Sequence, residues 1–316
     1  MARFVMHRLF QNLVLLIIVS MIGFAILYCA PGGPLAQFAL VPGMSQEQLA
    51  NIAEKMGLNH PIPLQYWDWF SRLIQGNWGH SYRDGTPVLN IIASHIGPTL
   101  LLMGSATFIS VTAGVLVGVL GAVKRYSIFD YLATLGAMIA LSVPTFWFGL
   151  ISIYVFSVKL AWLPSGGMYS IGNGSILDYL HHLIAPACVL GLVEVALWSR
   201  FMRSSMLETI DQDFIRTARA KGISERKVLF RHAMRNALLP MITVAGVQIP
   251  ALMSGALVTE TVFTWPGMGR LFLDSLDYRD YPVVMGVLMF SAIVVLAGSI
   301  VADIFYAIAD PRIRLG

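Results

Sequence analysis

Nucleotide hydrolysis requires a lysine followed by serine or threonine at the end of a glycine-rich loop. The five lysines, Lys55, Lys124, Lys159, Lys221 and Lys227, are followed by Met, Arg, Leu, Gly and Val. The closest approach to a dinucleotide fingerprint, Gly267–Met268–Gly269, continues as Arg–Leu–Phe and lacks its third glycine. Neither kind of phosphate loop is present, so any ATP and Mg must be bound by another chain. The seven histidines form no metal constellation. His181 and His182 are adjacent and diverge by about 100° on a helix, whereas two ligands on one face stand three or four residues apart. His80 and His95 have no Cys or carboxylate cluster beside them. No catalytic set emerges, although a Ser–His nucleophile pair within the apolar segments stays open as a reading that no spacing favours.

Two acids, Glu194 and Asp303, fall inside apolar segments. A carboxylate at mid-membrane costs on the order of 2.5–3.5 kcal/mol on insertion scales, so it faces a bundle interior or a wet cavity. Glu194 therefore reads as a polar position on a translocation path, as a proton carrier, or as a partner in a helix–helix hydrogen bond. Asp303 stands three residues before Tyr306, within reach of a local hydrogen bond.

The strongest concentration of chemistry is the stretch Arg216 to Pro240, which carries seven of the 21 Lys and Arg residues. Lipid cannot host that many charges, so the stretch lies in water beside a membrane. Gly222 divides it into two helical pieces, Asp213–Lys221 and Ser224–Asn236. Ser224 is placed to cap the second, and Pro240 falls in the tolerated first turn of the next segment. Val228, Phe230, Met234 and Leu238 put apolar contacts between the arginines. A loop that only enforced topology would need the charges but not two helices broken at a glycine. A helix-turn-helix reading would imply DNA, which a loop tethered between two membrane spans does not favour. A docking element for a cytoplasmic protein fits best.

The elements that must position this loop follow from composition. Of 316 residues, 57% are hydrophobic and 12% charged, against roughly 45–50% and about 25% in soluble domains. The chain reads as an all-α, polytopic membrane protein with no nucleic-acid partner. Six segments are long enough for a hydrocarbon core of about 30 Å: 9–30, 99–123, 130–158, 183–203, 237–262 and 283–308. With both termini on the cytoplasmic side, 15 of the 21 Lys and Arg fall inside and six outside, in accord with the positive-inside rule. Arg3 and Arg8 before Leu9–Ala30 resemble a signal peptide, but the run spans a bilayer and reads as a retained helix. Three parts result: 1–30 with the first span, an extracytoplasmic helical region 31–98, and a core 99–316 that includes the loop 204–240. In the outer region Ser45 and Gln48 make a capping box, and Gly57 is placed to end that helix. A second helix, Pro63 to Gln75, concentrates Tyr66, Trp67, Trp69 and Phe70, suited either to packing a small cap or to docking an external partner. Cys29 and Cys188 are expected to be packed free thiols rather than a disulfide.

The basic stretch resembles the cytoplasmic coupling (EAA) loop of bacterial ABC importer permeases, whose pattern is E-A-A-x3-G-x9-I-x-L-P. It is most similar to the B-type permease of the dipeptide, oligopeptide, nickel and glutathione branch. Gly222 matches and Ala218 keeps the second Ala, but Arg216 replaces the Glu and Thr217 the first Ala. His232–Arg235 occupies the I-x-L-P slot, and Leu239–Pro240 follows five residues later, the longer form that looks typical of the peptide branch. Similarity extends over essentially the whole chain. It includes Ser127–Asp130, Arg203–Glu208, Glu260–Arg270, Arg279–Pro282 and Asp310–Arg314; Pro31–Gly32–Gly33–Pro34 lacks the Asp of the usual P-G-D-P.

The resemblance implies a type I importer with a second, C-type permease, two ATPase subunits and an extracytoplasmic binding protein, in a bacterial inner membrane. It implies ATPase-coupling roles for Arg216, Thr217, Ala218, Arg219, Ala220, Lys221, Gly222, Ser224 and Glu225; Glu194, as an acid within a span, is read with Glu260 and Trp265 as a translocation-path or gate residue. Peptides, glutathione, nickel chelates, opines and oligosaccharide-like solutes are all substrates consistent with this branch. An ion-coupled secondary transporter using Glu194 is the rival reading, and an intramembrane hydrolase a more distant one.

Overall fold

The computed structural model describes residues 2–29, 33–39, 43–254 and 256–309, and the side chains of these except at 2–5, 36–37, 243, 246–254 and 302–309. The expectations for Pro31–Gly32, the Asp303 side chain and Asp310–Arg314 lie outside that set. Regular structure among the described residues is helical, apart from isolated β-bridges at His80–Pro87 and Ser170–Asn173. The first span is α1 (Ala2–Cys29), and the outer region carries α2 (Ala36–Ala39), α3 (Gln46–Lys55) and α4 (Ile62–Ile74). Two long helices follow, α5 (Val88–Val123) and α8 (Ile176–Ile210), with α6 (Ile128–Ser142) and α7 (Thr145–Ser152) between them. The basic loop holds α9 (Asp213–Ala220) and α10 (Glu225–Lys227), the latter leading through a π-helical stretch, Val228–Ala233, into α11 (Met234–Ser254). Short α12 (Leu257–Val262) and α13 (Met268–Asp277) precede the last span, α14 (Tyr281–Ala309).

Among the described residues, four helices are long and apolar enough to cross a membrane: α1, α5, α8 and α14. A bent pair, α6 with α7, makes a fifth candidate. The expected span 130–158 is therefore not one rod. It turns by 102° at Val143–Pro144, where the residue before the proline takes the extended backbone that this position favours, with Val143 at φ −88° and ψ 126°. The expected span 237–262 is likewise divided, with α11 ending at Ser254 and α12 starting at Leu257. At 21 residues, α11 has the length for a hydrocarbon core. Conversely, α5 and α8 have 36 and 35 residues and continue as helix through Pro98 and Pro186. At 1.5 Å per residue each exceeds 50 Å, roughly, and must project beyond the bilayer.

The α5–α8 pair forms the centre of the bundle, and small residues bring the two backbones together. A Cβ on Gly114 would stand 2.4 Å from Trp198 Cβ, and one on Gly118 only 2.6 Å from both Met202 Cβ and the Ser199 carbonyl. With no aqueous driving force between helices in lipid, such close van der Waals approach is what holds them. At the end of the bundle that carries the basic loop, one continuous core joins Val119 and Ala122 of α5, Trp198, Met202 and Met206 of α8, Ile215 and Ala218 of α9, and Val228, Ala233, Ala237 and Met241.

The outer helices take the form expected from their caps. Ser45 and Gln48 make the reciprocal capping box, and α3 ends at Met56 with Gly57 at φ +69°. On α4, Tyr66 and Trp69 pack around Phe24 of α1, while Trp67 is 63% exposed. The buried Gln65 donates to Tyr28 Oη at 2.7 Å. Most of this aromatic cluster is thus the packing of a cap on α1. Cys188 is half-buried, but Cys29 is exposed, contrary to the expectation of two packed thiols.

Candidate functional site

In the basic loop the apolar residues Ile215 and Ala218, three apart on α9, point into the core. Phe214, Arg216, Thr217, Arg219 and Ala220 are left on the outward face, with Lys221 exposed after them. The helix then ends in a Schellman motif: the Ile223 N–H bonds to the Ala218 carbonyl at 3.3 Å and the Gly222 N–H to Arg219 at 2.9 Å. Gly222 sits at φ +73°, a conformation that glycine adopts without a Cβ penalty. Ile223 closes the motif by packing on the same core cluster.

Across the glycine turn, Arg219 grips Glu225 with two hydrogen bonds, Nε to Oε2 at 3.1 Å and Nη2 to Oε1 at 2.8 Å. This pairing, above all its hydrogen bonds, holds the Glu225 carboxyl below the ordinary carboxylate range and raises the guanidinium. Arg216 pairs more loosely with Asp213 at 3.5 Å. Ser224 occupies the N-cap position of α10 without a side-chain capping bond, in contrast to its expected role. Of the nine residues named as coupling candidates, the structure brings all to one turn and its flanks. Ala218 alone is buried, as an anchor rather than outward surface.

The second helical piece does not stop at Asn236. It runs without a break from α10 through the π stretch into α11, so Pro240 lies seven residues into that helix instead of in its first turn. The Ser205 hydroxyl donates to the Ala237 carbonyl at 2.8 Å, tying this helix to α8. Two positions before Ser205, Arg203 forms a bidentate pair with Asp130 of α6 at 2.7 and 2.8 Å. At the base of the loop α8 is thereby tied to both α6 and α11.

At the other end of the bundle, Glu260 and Trp265 belong to one knot. Glu260 is fully buried and accepts from Gly269 N at 2.7 Å, Arg270 N at 3.1 Å and Thr99 Oγ1 at 2.9 Å. Thr99 Oγ1 in turn accepts the Met268 N–H at 2.8 Å. One carboxylate and one hydroxyl from other helices therefore satisfy the first three N–H groups of α13, where the helix dipole also favours negative charge. A Cβ on Gly267 would lie 2.3 Å from the Glu260 carboxyl carbon, so the glycine makes room for it. Trp265 is fully buried and its Nε1 donates to the Pro98 carbonyl at 2.9 Å. Glu194 lies elsewhere, half-buried on α8, where it accepts from Ser110 of α5 at 3.3 Å.

Sequence reasoning missed the buried capping role of Glu260, which Thr99 completes 161 residues away, and a second outer anchor. Asp280 accepts from the Ser81 hydroxyl and from the Tyr82 N–H at 3.1 Å, holding the loop before α5 to the start of α14. Burial, and then the Asp280 carboxylate, push the Tyr82 phenol up to about 12. The signal was the Arg279–Pro282 motif, whose partner no local pattern names.

Residues 114–315 match the family described as binding-protein-dependent transport system inner membrane component, and residues 1–103 match its N-terminal companion, described as Binding-prot-dependent transport system membrane comp, N-term. The chain is 44% identical over 316 residues to the oligopeptide transport system permease protein AppB of Bacillus subtilis (strain 168), covering 99% of this chain and all of that one. It is 36% identical to the dipeptide transport system permease protein DppB of Escherichia coli (strain K12), with 99% of each chain covered. Among solved structures, an inward-facing form of the MetNI methionine ABC transporter covers 71% of this chain and 98% of its own, with a TM-score of 0.55 at 18% identity, a likeness of fold. With the two family models together spanning nearly the whole chain, this protein belongs to the inner-membrane components of binding-protein-dependent transport systems.

Proposed function

We propose that this chain forms half of the translocation pore of an ATP-driven importer of peptides or peptide-like solutes. It is a transport subunit and not an enzyme, with hydrolysis carried out by separate ATPase subunits. A second permease completes the pore, two ATPases lie beneath it, and an extracytoplasmic binding protein delivers the solute. Both termini and the basic loop are on the cytoplasmic side, in accord with the charge count. The peptide class rests on the functions of the relatives.

The observation that carries the coupling role is the shared core. Ile215 and Ala218 of α9 are packed with residues of α5, α8 and α11 in one close-packed cluster. A dense interior transmits displacement as a body, so an ATPase that moves the outward face of α9 moves the spanning helices with it. ATP shifts the inward- and outward-facing populations only through contacts that differ between them, and α9 with the Gly222 turn presents those contacts. The ion-coupled reading would need Glu194 on a proton route, and its bond to Ser110 serves equally as a helix–helix contact.

The test is substrate-stimulated ATPase activity of the full complex in reconstituted vesicles. Gly222→Pro removes both the positive φ and the N–H bonded to Arg219, and Arg219→Glu breaks the grip on Glu225. Each is expected to abolish stimulation while the chain still inserts and assembles. Stimulation at the level of the unaltered complex would refute this role for the loop.

A further inference from the structure

We propose that the outward face of the helix leading from Gly222 into the membrane binds the headgroup of an anionic phospholipid. Arg226, Lys227, Phe230, Arg231 and Arg235 line one open cavity of about 730 Å³ on this helix. The π stretch creates the face: the Met234 N–H reaches back five residues to the Leu229 carbonyl. That wider turn lets Val228 and Ala233 both enter the core while the four cations remain exposed.

The cations of the two helical pieces differ in their partners. On α9, Arg216 and Arg219 each have a carboxylate. Among the described residues, no carboxylate lies within ion-pair distance of Arg226, Lys227, Arg231 or Arg235, a clustered positive charge awaiting an anion. Further along the helix the same side turns apolar. Leu239 and Ile242 follow Arg231 and Arg235 at helical spacing and are 60% and 62% exposed.

Over about 24 Å of rise, one helix face passes from four cations around an exposed Phe230 to exposed aliphatic side chains. That order matches a lipid, with phosphate beside the cations and acyl chains beside Leu239 and Ile242. An acidic protein surface would satisfy the cations but not the exposed aliphatic continuation, which favours the lipid. The lipid face is separate from the α9 face assigned to coupling, and its basis is that α11 enters the membrane.

Native mass spectrometry of the full-length chain in detergent, titrated with dioleoyl phosphatidylglycerol or dioleoyl phosphatidylcholine, tests this. The unaltered chain should prefer phosphatidylglycerol. Arg231→Gln with Arg235→Gln should weaken phosphatidylglycerol binding about 25-fold, at about fivefold for each surface charge removed, and leave phosphatidylcholine unchanged. Lys227→Gln alone, a milder change, should weaken it about fivefold. Arg216→Gln with Arg219→Gln should stay within about twofold, since these charges lie outside the lipid face. Equal binding of the two lipids by the unaltered chain, or phosphatidylglycerol binding unmoved by the Lys227 and Arg231/Arg235 substitutions, would overturn the proposal. Loss of ATPase-subunit association in those variants with phosphatidylglycerol binding intact would assign the face to a protein and also overturn it.

Discussion

Arg203 of α8 and Asp130 of α6, 73 residues apart, meet as a bidentate pair at 2.7 and 2.8 Å. Asp130 is only 4% exposed, and its second oxygen also accepts the Tyr126 N–H at 3.0 Å, fixing the turn between α5 and α6. Two motifs that read separately in the sequence are thus the two halves of one fastening beneath the bundle.

Asp130→Asn is expected to cost about 2–4 kcal/mol, since breaking a buried pair leaves an uncompensated charge; the partial exposure of Arg203 keeps the loss toward the lower end. Unfolding in mild detergent measures it. Arg203→Lys should also destabilise, because a lysine cannot reproduce the fork. Stability equal to the unaltered protein in both variants would contradict the pairing.

Glu260→Gln should destabilise the α12–α13 corner by about 1.5–3 kcal/mol, the range for hydrogen bonds to a charged group. The amide nitrogen would face N–H donors that the carboxylate now accepts. Hydrogen exchange of the Gly269 and Arg270 amides should rise in this variant, and unchanged exchange would argue against the carboxylate as the cap.

Gly118→Val forces a side chain into a gap where even a Cβ meets Met202 and Ser199 at 2.6 Å. Overpacking of this kind costs about 1–3 kcal/mol or displaces the helix. Gly136→Ala, with nothing within 4 Å of the new Cβ, is the unobstructed comparison and should be close to neutral. Equal thermal stability of the two would mean that α5 and α8 do not approach as described.

The Arg219–Glu225 grip gives the basic loop a pH response of defined sign. The folded carboxyl titrates below its unfolded value, so its contribution is complete above the unfolded pKa of about 4.3 and is lost as pH falls through the lower folded value. Both groups are substantially exposed, which limits the effect to about 0.2–1 kcal/mol. Protection of the Gly222 and Ile223 amides should fall at acid pH and in high salt, and Glu225→Gln should flatten both dependences. A pH response persisting in that variant would assign it to another group.

Aromatic exposure separates two roles on α4. Trp67→Ala should alter stability by less than about 0.5 kcal/mol, as surface changes do. Tyr66→Phe removes the 2.8 Å bond to Ser20 and should cost about 1 kcal/mol. Chemical unfolding of the two variants compares them directly, and a larger loss at Trp67 would invert the assignment.

The amino-acid order alone settled what depends on composition and near neighbours. Apolar runs of bilayer length announce membrane helices because lipid leaves the backbone no partner but itself. The Ser45–Gln48 capping box and the turns at Gly57 and Gly222 were legible because their bonds close within a few residues. Tertiary structure alone decided which polar groups meet across the bundle: Glu260 with Thr99, Arg203 with Asp130, and Asp280 with Ser81. It also decided that Ala218 faces inward, and that the second loop helix runs on past Asn236 and through Pro240 as one element. Those outcomes turn on contacts between residues up to 199 apart, and such contacts leave no periodic trace in the chain, because each depends on where two separate helices come to rest against each other.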